Sequence, residues 1–297
     1  MPEKSLQCTK INFDRLDILI KLAYEEDLED KGDTTTLAVI PASTTAKAIL
    51  LCKEKDMVLA GIEVAERVFK YLDPELTFTA LKNDGDLCQK GDKLAVISGK
   101  AQSILTAERT ALNFLQRLCG VASTSRKYAA ALAGTPCVAL DTRKTTPGWR
   151  NLEKYAVQCG GSTNHRIGLF DRIMIKDNHR ELAKLEGENS IERSVERCRK
   201  MFPELEVEVE ADSLEEVKHA LNANAEYILL DNMTNEEMAE AVKMADGKSL
   251  LEASGGITIE RLPSIGQTGV DFVSAGALTH SVKSSDISLD IQLDEEK

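Results

Sequence analysis

Apolar residues recur along this chain with two different periods, and the change falls near residue 120. Before it, Phe13, Leu16, Leu19 and Ala23 recur at helical spacing. The stretches AKAILLCKE and MVLAG then read as strands between polar turns, and Ile62 to Leu72 as a helix. KNDGDLCQKGDKLAVISG sets Asp84-Gly85 and Lys90-Gly91 turns between short strands, which predicts a structural hairpin. From Ser103 to about Ala133 the pattern is that of one or two long helices, with Leu112, Leu115 and Leu118 on one apolar face.

After residue 120 short apolar runs alternate with helical segments. CVALD, RIMIKD, LEVEVE, YILLD, SLLEAS and DFVSAG are strands by this reading, separated by GWRNLEKYAVQCG, SIERSVERCRKM, SLEEVKHALN and TNEEMAEAVKM. That rhythm predicts a parallel sheet. Ser213 with Glu216 and Thr234 with Glu237 have capping-box spacing and mark two helix starts. Every strand ends in polar residues or glycine, on the side where parallel βα sheets gather their binding loops. In order these are Asp141, Arg143 and Lys144; Lys176 and Asp177; Glu210; Asp231 and Asn232; Ser254, Gly255 and Gly256; and Gly276. Six such ends in series favour a barrel, with eight strands or fewer, over an open doubly wound sheet.

Length and composition narrow the function classes. A chain of 297 residues, 42% hydrophobic and 29% charged, has the makings of two compact domains. A formal charge of -12 argues against general nucleic-acid binding, because phosphate backbones would be repelled. The seven cysteines (Cys8, Cys52, Cys88, Cys119, Cys137, Cys159, Cys198) are scattered, with no metal-binding or redox spacing, as expected of a reducing cytoplasm. No apolar run is long enough for a membrane span, and no signal core follows the amino end.

Charge then locates the chemistry. Between Arg143 and Arg180 stand eight Lys or Arg and three acids, a local +5. Arg150, Lys154 and Arg172 read as solvated helix and loop charges. Arg143, Lys144 and Lys176 follow strands directly and point to a compact polyanion. LEASGGIT and VSAGALT place glycine after the last two strands, where backbone N–H groups can approach a phosphate. Glu210 and Asp231 end adjacent strands, where they can neutralise the cations, hold Mg²⁺ or stabilise a cationic sugar carbon. Phosphate, magnesium and a cationic sugar together suggest phosphoribosyl transfer.

Seven runs in chain order, ERTALNFLQRLCGVAS, DTRKTTPGWRNLEKYAVQCGG, NHRIGLFDRIMIKDNH, VEVEADS, ILLDNMT, LEASGGIT and VSAGALTH, closely resemble the quinolinate phosphoribosyltransferase family. GDTTT and VLAGIEVAERVF resemble its amino-terminal domain, while GGST before Asn164 departs from the more glycine-rich bacterial form. The resemblance implies an α/β fold: an amino-terminal α/β sandwich domain (residues 1–120) packed against an irregular α/β barrel with parallel strands (121–280), and a tail (281–297) returning to the first domain. It implies a homodimer or assembly of dimers, with Arg109 contributed in trans. It also implies the reaction, in which quinolinate and phosphoribosyl pyrophosphate give nicotinate mononucleotide, pyrophosphate and carbon dioxide, with Mg²⁺ and no organic cofactor.

By the same resemblance Lys144, Glu210 and Asp231 carry the chemistry, and Arg109, Arg143, Lys144, His165, Arg166 and Lys176 hold quinolinate. Phosphoribosyl pyrophosphate falls to Lys144, Lys176, Glu210, Asp231, Ser254, Gly255 and Gly276, and Mg²⁺ to Glu210 and Asp231, directly or through water. His165 reads as a substrate contact in preference to a proton donor, His179 as structural, Trp149 as packing, and Cys119 and Cys159 as inert. Three rivals stay open: a Schiff-base lyase using Lys176, a phosphoribosyltransferase for nicotinate or another pyridine acid, and a non-catalytic phosphate-metabolite sensor.

Overall fold

The computed structural model describes residues 9–292, which leaves Cys8 outside the described residues. The described residues form two compact units: one of 9–126, 146–161 and the residues from 281, the other of 127–145 and 162–280.

The first unit opens with α1 (Phe13–Leu28) and α2 (Thr34–Val39), each started by a side chain that takes up an otherwise unpaired N–H: Asn12 accepts from Arg15 and Asp33 from Thr36. There follow β1 (Thr45–Cys52), β2 (Met57–Val58), α3 (Ile62–Leu72), β3 (Thr77–Ala80), β4 (Leu87–Cys88), β5 (Lys93–Lys100) and α4 (Ala101–Ala131). The strand expected over MVLAG stops after two residues. Gly61, at φ 92°, turns the chain into α3, and a Cβ there would sit 2.6 Å from Leu118 Cδ1. The carboxylate of Asp84 accepts the Gly61 and Ile62 N–H groups that begin α3.

The hairpin expected around Lys90-Gly91 does not form. β4 pairs with β2, whereas β5 pairs with β1 and β3. The turn carries the chain between sheets because the Gly91 N–H donates to the Cys52 carbonyl and the Cys52 N–H to that of Asp92. The long helix expected from Ser103 is one uninterrupted α4 of 31 residues.

The remaining elements are β6 (Val138–Leu140), α5 (Arg150–Cys159), β7 (Ile173–Ile175), α6 (Asp177–Lys184), α7 (Ser190–Met201), β8 (Val207–Ala211), α8 (Leu214–Asn222), β9 (Tyr227–Asp231), α9 (Asn235–Ala245), β10 (Leu250–Ser254), a 3₁₀ turn (Ile259–Arg261), α10 (Leu262–Gly266), β11 (Phe272–Ser274), α11 (Ala277–His280) and β12 (Ile287–Gln292). β12 pairs antiparallel with β1, giving the first sheet the order β12-β1-β5-β3. The alternation of strand and helix assigns α5 to the second unit, yet it belongs to the first. Ser125 Oγ donates to the Val157 carbonyl (2.6 Å), Tyr155 OH to Asp84 (2.7 Å), and Arg117 to Glu153.

All six strands expected of the second unit are present and parallel, in the order β6-β11-β10-β9-β8-β7. Thr234 and Glu237 form the full capping box at α9. At α8 only half of it forms: Ser213 accepts the Glu216 N–H, but the Glu216 carboxylate takes the N–H of Asp212 instead.

Strand register puts Met174, Glu208, Tyr227 and Leu250 in one row of a common face, Glu210, Leu229, Glu252, Phe272 and Val138 in the next, and Asp231, Ser254, Ser274 and Leu140 above. Leu140, Tyr227, Leu250 and Phe272 cluster as a buried core on that face, each worth about 1.5–3 kcal/mol of transfer free energy. The other face turns Val207, Val209, Ile228, Leu230 and Val273 away, all wholly buried.

β6 and β7 do not share a ladder. The segment 162–166 stands beside β6 instead: the Thr163 N–H donates to the Ala139 carbonyl (2.9 Å) and the Asp141 N–H to that of Thr163 (3.1 Å). His165, on this segment, lies 3.2 Å from Glu208 of β8 and 3.1 Å from Glu252 of β10. In a flat sheet β8 would lie four strand spacings, about 19 Å, from β6. The sheet therefore curls into a barrel around that ring.

No helix among the described residues is long and apolar enough to cross a membrane.

Candidate active site

The common face of the curled sheet opens into a cavity of about 320 Å³. Arg143, Lys144, His165, Arg166 and Lys176 all line it, over a floor that includes Met174, Leu229 and Glu252. Five of the residues expected to bind substrate are thus brought together from loops far apart in sequence. Arg109 is not among them: it is exposed on α4, in the other compact unit.

Asp141 organises one wall. Its carboxylate is wholly buried and accepts the His165 N–H (2.9 Å) and the Asn164 Nδ2–H (2.7 Å). Arg166 is buried too, donating from Nη1 to the Arg172 carbonyl (3.2 Å). Burial, and after it the nearby charge of Arg143, pull its pKa below the ordinary arginine value. A wall that holds cations at this cost is relieved when an anion enters.

On the opposite wall the Lys176 ammonium donates to Glu210, whose carboxylate also accepts the Asp177 N–H (3.2 Å). Lys176 is half-buried and Glu210 buried. The next helix is pinned by His179, whose Nδ1 accepts the Lys176 N–H at 3.0 Å. Asp231, half-buried at the end of β9, accepts from the side chain of Asn232 (2.8 Å). Glu210 and Asp231 share the inward face but do not line the cavity itself.

The two glycine loops differ in what they require. Gly255 sits at φ 82°, and a Cβ there would come within 2.2 Å of Asn232 Oδ1 and 2.9 Å of the Asn232 backbone nitrogen. Both backbone conformation and space exclude a side chain. At Gly276 space alone decides: a Cβ would lie 2.9 Å from Lys144 Cδ and 2.8 Å from His280 Cδ2. That loop lets Lys144 lie along it, and Thr279 Oγ1 donates to the Lys144 carbonyl (2.7 Å). Ser254 lines the cavity beside Ser274, whose hydroxyl donates to it at 3.3 Å.

Ser274 and Met174 were not singled out by sequence, nor were Glu208 and Glu252. Both glutamates are essentially unexposed, and His165 Nε2 is placed between them. Arg172 Nη1 lies 3.7 Å from Glu208, with its guanidinium 3.9 Å above the Tyr227 ring. Burial alone would strip His165 of its proton, but the carboxylates of Glu252 and Glu208 outweigh it and push the pKa up to about 10. The Arg166 N–H donates to Nδ1 (2.7 Å), which leaves the ring's own proton on Nε2, so the added proton belongs to the cluster of His165, Glu208 and Glu252 as a whole. Among the described residues, this trio also has donor atoms close enough, within 4.8 Å, to share a cation.

Comparison with known proteins places this arrangement. Residues 33–119 match the family model described as quinolinate phosphoribosyl transferase, N-terminal domain, and residues 121–290 match that of its C-terminal domain. The chain is 42% identical over 292 residues to the chloroplastic nicotinate-nucleotide pyrophosphorylase (carboxylating) of Arabidopsis thaliana, covering 93% of this chain and 82% of that one. It is 39% identical to the probable nicotinate-nucleotide pyrophosphorylase (carboxylating) of Bacillus subtilis, covering 94% of this chain and 95% of that one. The crystal structure of NadC from Streptococcus pyogenes superposes with a TM-score of 0.90 at 40% identity, covering 96% of this chain and 100% of that one. With both domain models matched in order and relatives similar over nearly their whole length, the chain belongs to the quinolinate phosphoribosyltransferase family.

Proposed function

We infer that this protein transfers the phosphoribosyl group of phosphoribosyl pyrophosphate to the ring nitrogen of quinolinate and releases carbon dioxide, giving nicotinate mononucleotide and pyrophosphate for NAD biosynthesis. The observation that carries the reading is the cavity wall of Arg143, Lys144, Arg166 and Lys176 in a member of this family. Quinolinate carries two adjacent carboxylates, and planar guanidinium groups pair with carboxylates through two parallel hydrogen bonds. Arg143 and Arg166 take that role, with His165 beside them.

Lys144 and Lys176 receive the phosphate charge. Lys176 exchanges Glu210 for a pyrophosphate oxygen, which frees the Glu210 carboxylate for the sugar at the moment its anomeric carbon turns cationic. Asp231 stabilises the same carbon, while Ser254, Gly255 and Gly276 cradle the 5′-phosphate. Once alkylated, the positive ring nitrogen stabilises the electron pair left on the adjacent carbon as its carboxylate departs as carbon dioxide, and that carbon then takes a proton from water, with no organic cofactor.

Glu210 and Asp231 offer hard carboxylate oxygens on one face, a donor set that suits Mg²⁺. When bound, Mg²⁺ would offset the negative charge of the departing pyrophosphate.

Arg109 completes the substrate clamp from the second subunit of a homodimer, as part of a dimer or an assembly of dimers. Its exposure on α4 and its absence from the cavity lining support that assignment. A cytoplasmic location is supported by the six free cysteines among the described residues.

Incubation with quinolinate, phosphoribosyl pyrophosphate and Mg²⁺ should yield nicotinate mononucleotide and carbon dioxide in equal amounts, with nicotinate a poor competitor. Product formation from nicotinate without carbon dioxide would overturn the reading.

A further inference from the structure

The cavity floor holds a cluster that the reaction scheme above leaves unused. Glu208 and Glu252 come from strands two apart in the sheet and converge on His165 from below, at 3.2 and 3.1 Å from Nε2. All three are buried. Carboxylates buried to this degree need partners, and His165 and Arg172 are in contact with them.

Both ring nitrogens of His165 are engaged: Nε2 faces the two carboxylates, and Nδ1 accepts the N–H of Arg166. The backbone of the same residue is fixed by Asp141. Three buried acids, from β8, from β10 and from the end of β6, therefore hold one short segment, and that segment carries Arg166 into the cavity.

We propose that Glu208 and Glu252 are positioning residues, which lock the His165 ring with its proton on the Nε2 side and thereby set the place of Arg166 for a substrate carboxylate. The proposal rests on the reading of the cavity as the quinolinate site. They act through His165, and the ring acts through the backbone of its neighbour. Glutamate suits this task because a carboxylate only accepts, which favours the tautomer with its proton on Nε2, and Nδ1 is left as the acceptor that Arg166 needs.

The groups that face His165 are Glu208 on β8, Glu252 on β10, Asp141 after β6, Arg172 before β7, and Arg166 with Arg143 behind it. Glu208 and Glu252 face the Nε2 edge of the ring, and the Arg166 N–H faces the Nδ1 edge.

Steady-state kinetics of wild type, E252Q, E208Q and E252D with quinolinate and phosphoribosyl pyrophosphate test this, with wild-type turnover as the control for the functional reading itself. E252Q should raise KM for quinolinate by about tenfold or more. KM for phosphoribosyl pyrophosphate should stay within about twofold. E252D, which keeps a carboxylate at the position, should restore part of the KM for quinolinate. Equal losses toward both substrates, or no rescue by E252D, would overturn the proposal.

Nitrogen-15 spectra of histidine-labelled wild type give a readout that needs no folded glutamate variant. The chain has four histidines, and His165→Asn assigns the signal. His165 should show a protonated Nε2 and an unprotonated Nδ1 near neutral pH. A protonated Nδ1 would overturn the proposal even if the enzyme turns quinolinate over. Failure of the wild type to turn it over would instead count against the functional reading.

Discussion

The Lys176 ammonium, which lines the cavity, is bonded to the buried Glu210 carboxylate at the end of the neighbouring strand. In the proposed scheme these residues serve different partners, phosphate for one and sugar or Mg²⁺ for the other. Bonded, they would keep each other in reserve until a phosphate anion displaces the carboxylate.

Lys176→Ala should therefore do more than remove one phosphate contact, because it also takes the ammonium partner from the buried Glu210 carboxylate. The expected loss in kcat/KM for phosphoribosyl pyrophosphate is on the order of 2.7–4 kcal/mol, the scale of a lost transition-state charge contact. The double variant Lys176→Ala with Glu210→Gln should lose less than the sum of the singles, since the residues are coupled. Strict additivity in a double-mutant cycle would refute the reserve-pair account.

Lys144→Ala should cost a similar amount, on the order of 100-fold or more in kcat. A tenfold effect or less, measured at saturating substrates, would remove Lys144 from the chemistry.

The two glycines separate strain from obstruction. Gly255→Ala meets both a left-handed backbone and the Asn232 backbone, so it should lower stability by about 1–3 kcal/mol in a thermal or denaturant melt. Gly276→Ala meets the flexible chains of Lys144 and His280, so it should leave the melt nearly unchanged and lower activity by displacing Lys144. Equal destabilisation by the two would contradict this division.

Arg109→Ala and Glu210→Ala should each be nearly inactive alone. Mixed, dissociated and reassociated, they should regain activity through hybrid dimers in which one site is intact. No recovery in an assay of the mixture would defeat the shared site.

Asp33 supplies a pH-dependent stability test away from the site. Bonds from the Thr36 hydroxyl and N–H hold its carboxyl below the ordinary value. A carboxylate depressed in the folded state stabilises the protein above the unfolded pKa of about 3.9, and the gain fades as pH falls below it. Asp33→Ala should cost about 1 kcal/mol near neutral pH, with the gap to wild type closing toward pH 3. A gap that persists at low pH in denaturant melts would show that the cap does not act through its charge.

All six barrel strands were legible because each is a short apolar run cut off by polar residues, a pattern that survives whatever packs around it. The cationic wall was legible for the same reason, since Arg143, Lys144 and Lys176 stand at those cut-off points. Glu208 and Glu252 were not. In VEVE and LLEAS a glutamate inside a strand has the alternation of a solvated face, and only the curl of the sheet turns that face inward. The hairpin at Gly91 failed because turn chemistry specifies a reversal but not the strand that receives it. The packing of α5 against the first compact unit was not legible, because its partners, Ser125, Asp84 and Arg117, are distant in sequence and form no pattern with it.

The seam between β6 and β7 is bridged by the segment 162–166, which is held to β6 through the backbone at Thr163 and to β8 and β10 through the side chain of His165. Strand pairing resists single-residue slips, since each would reverse which side chains face in. On the side-chain half of the seam no ladder imposes that constraint. Substitutions at His165 and Arg166 should therefore reshape the cavity wall without disturbing the strand order, which makes this gap the place where a chain of the same architecture would change the ligand it accepts.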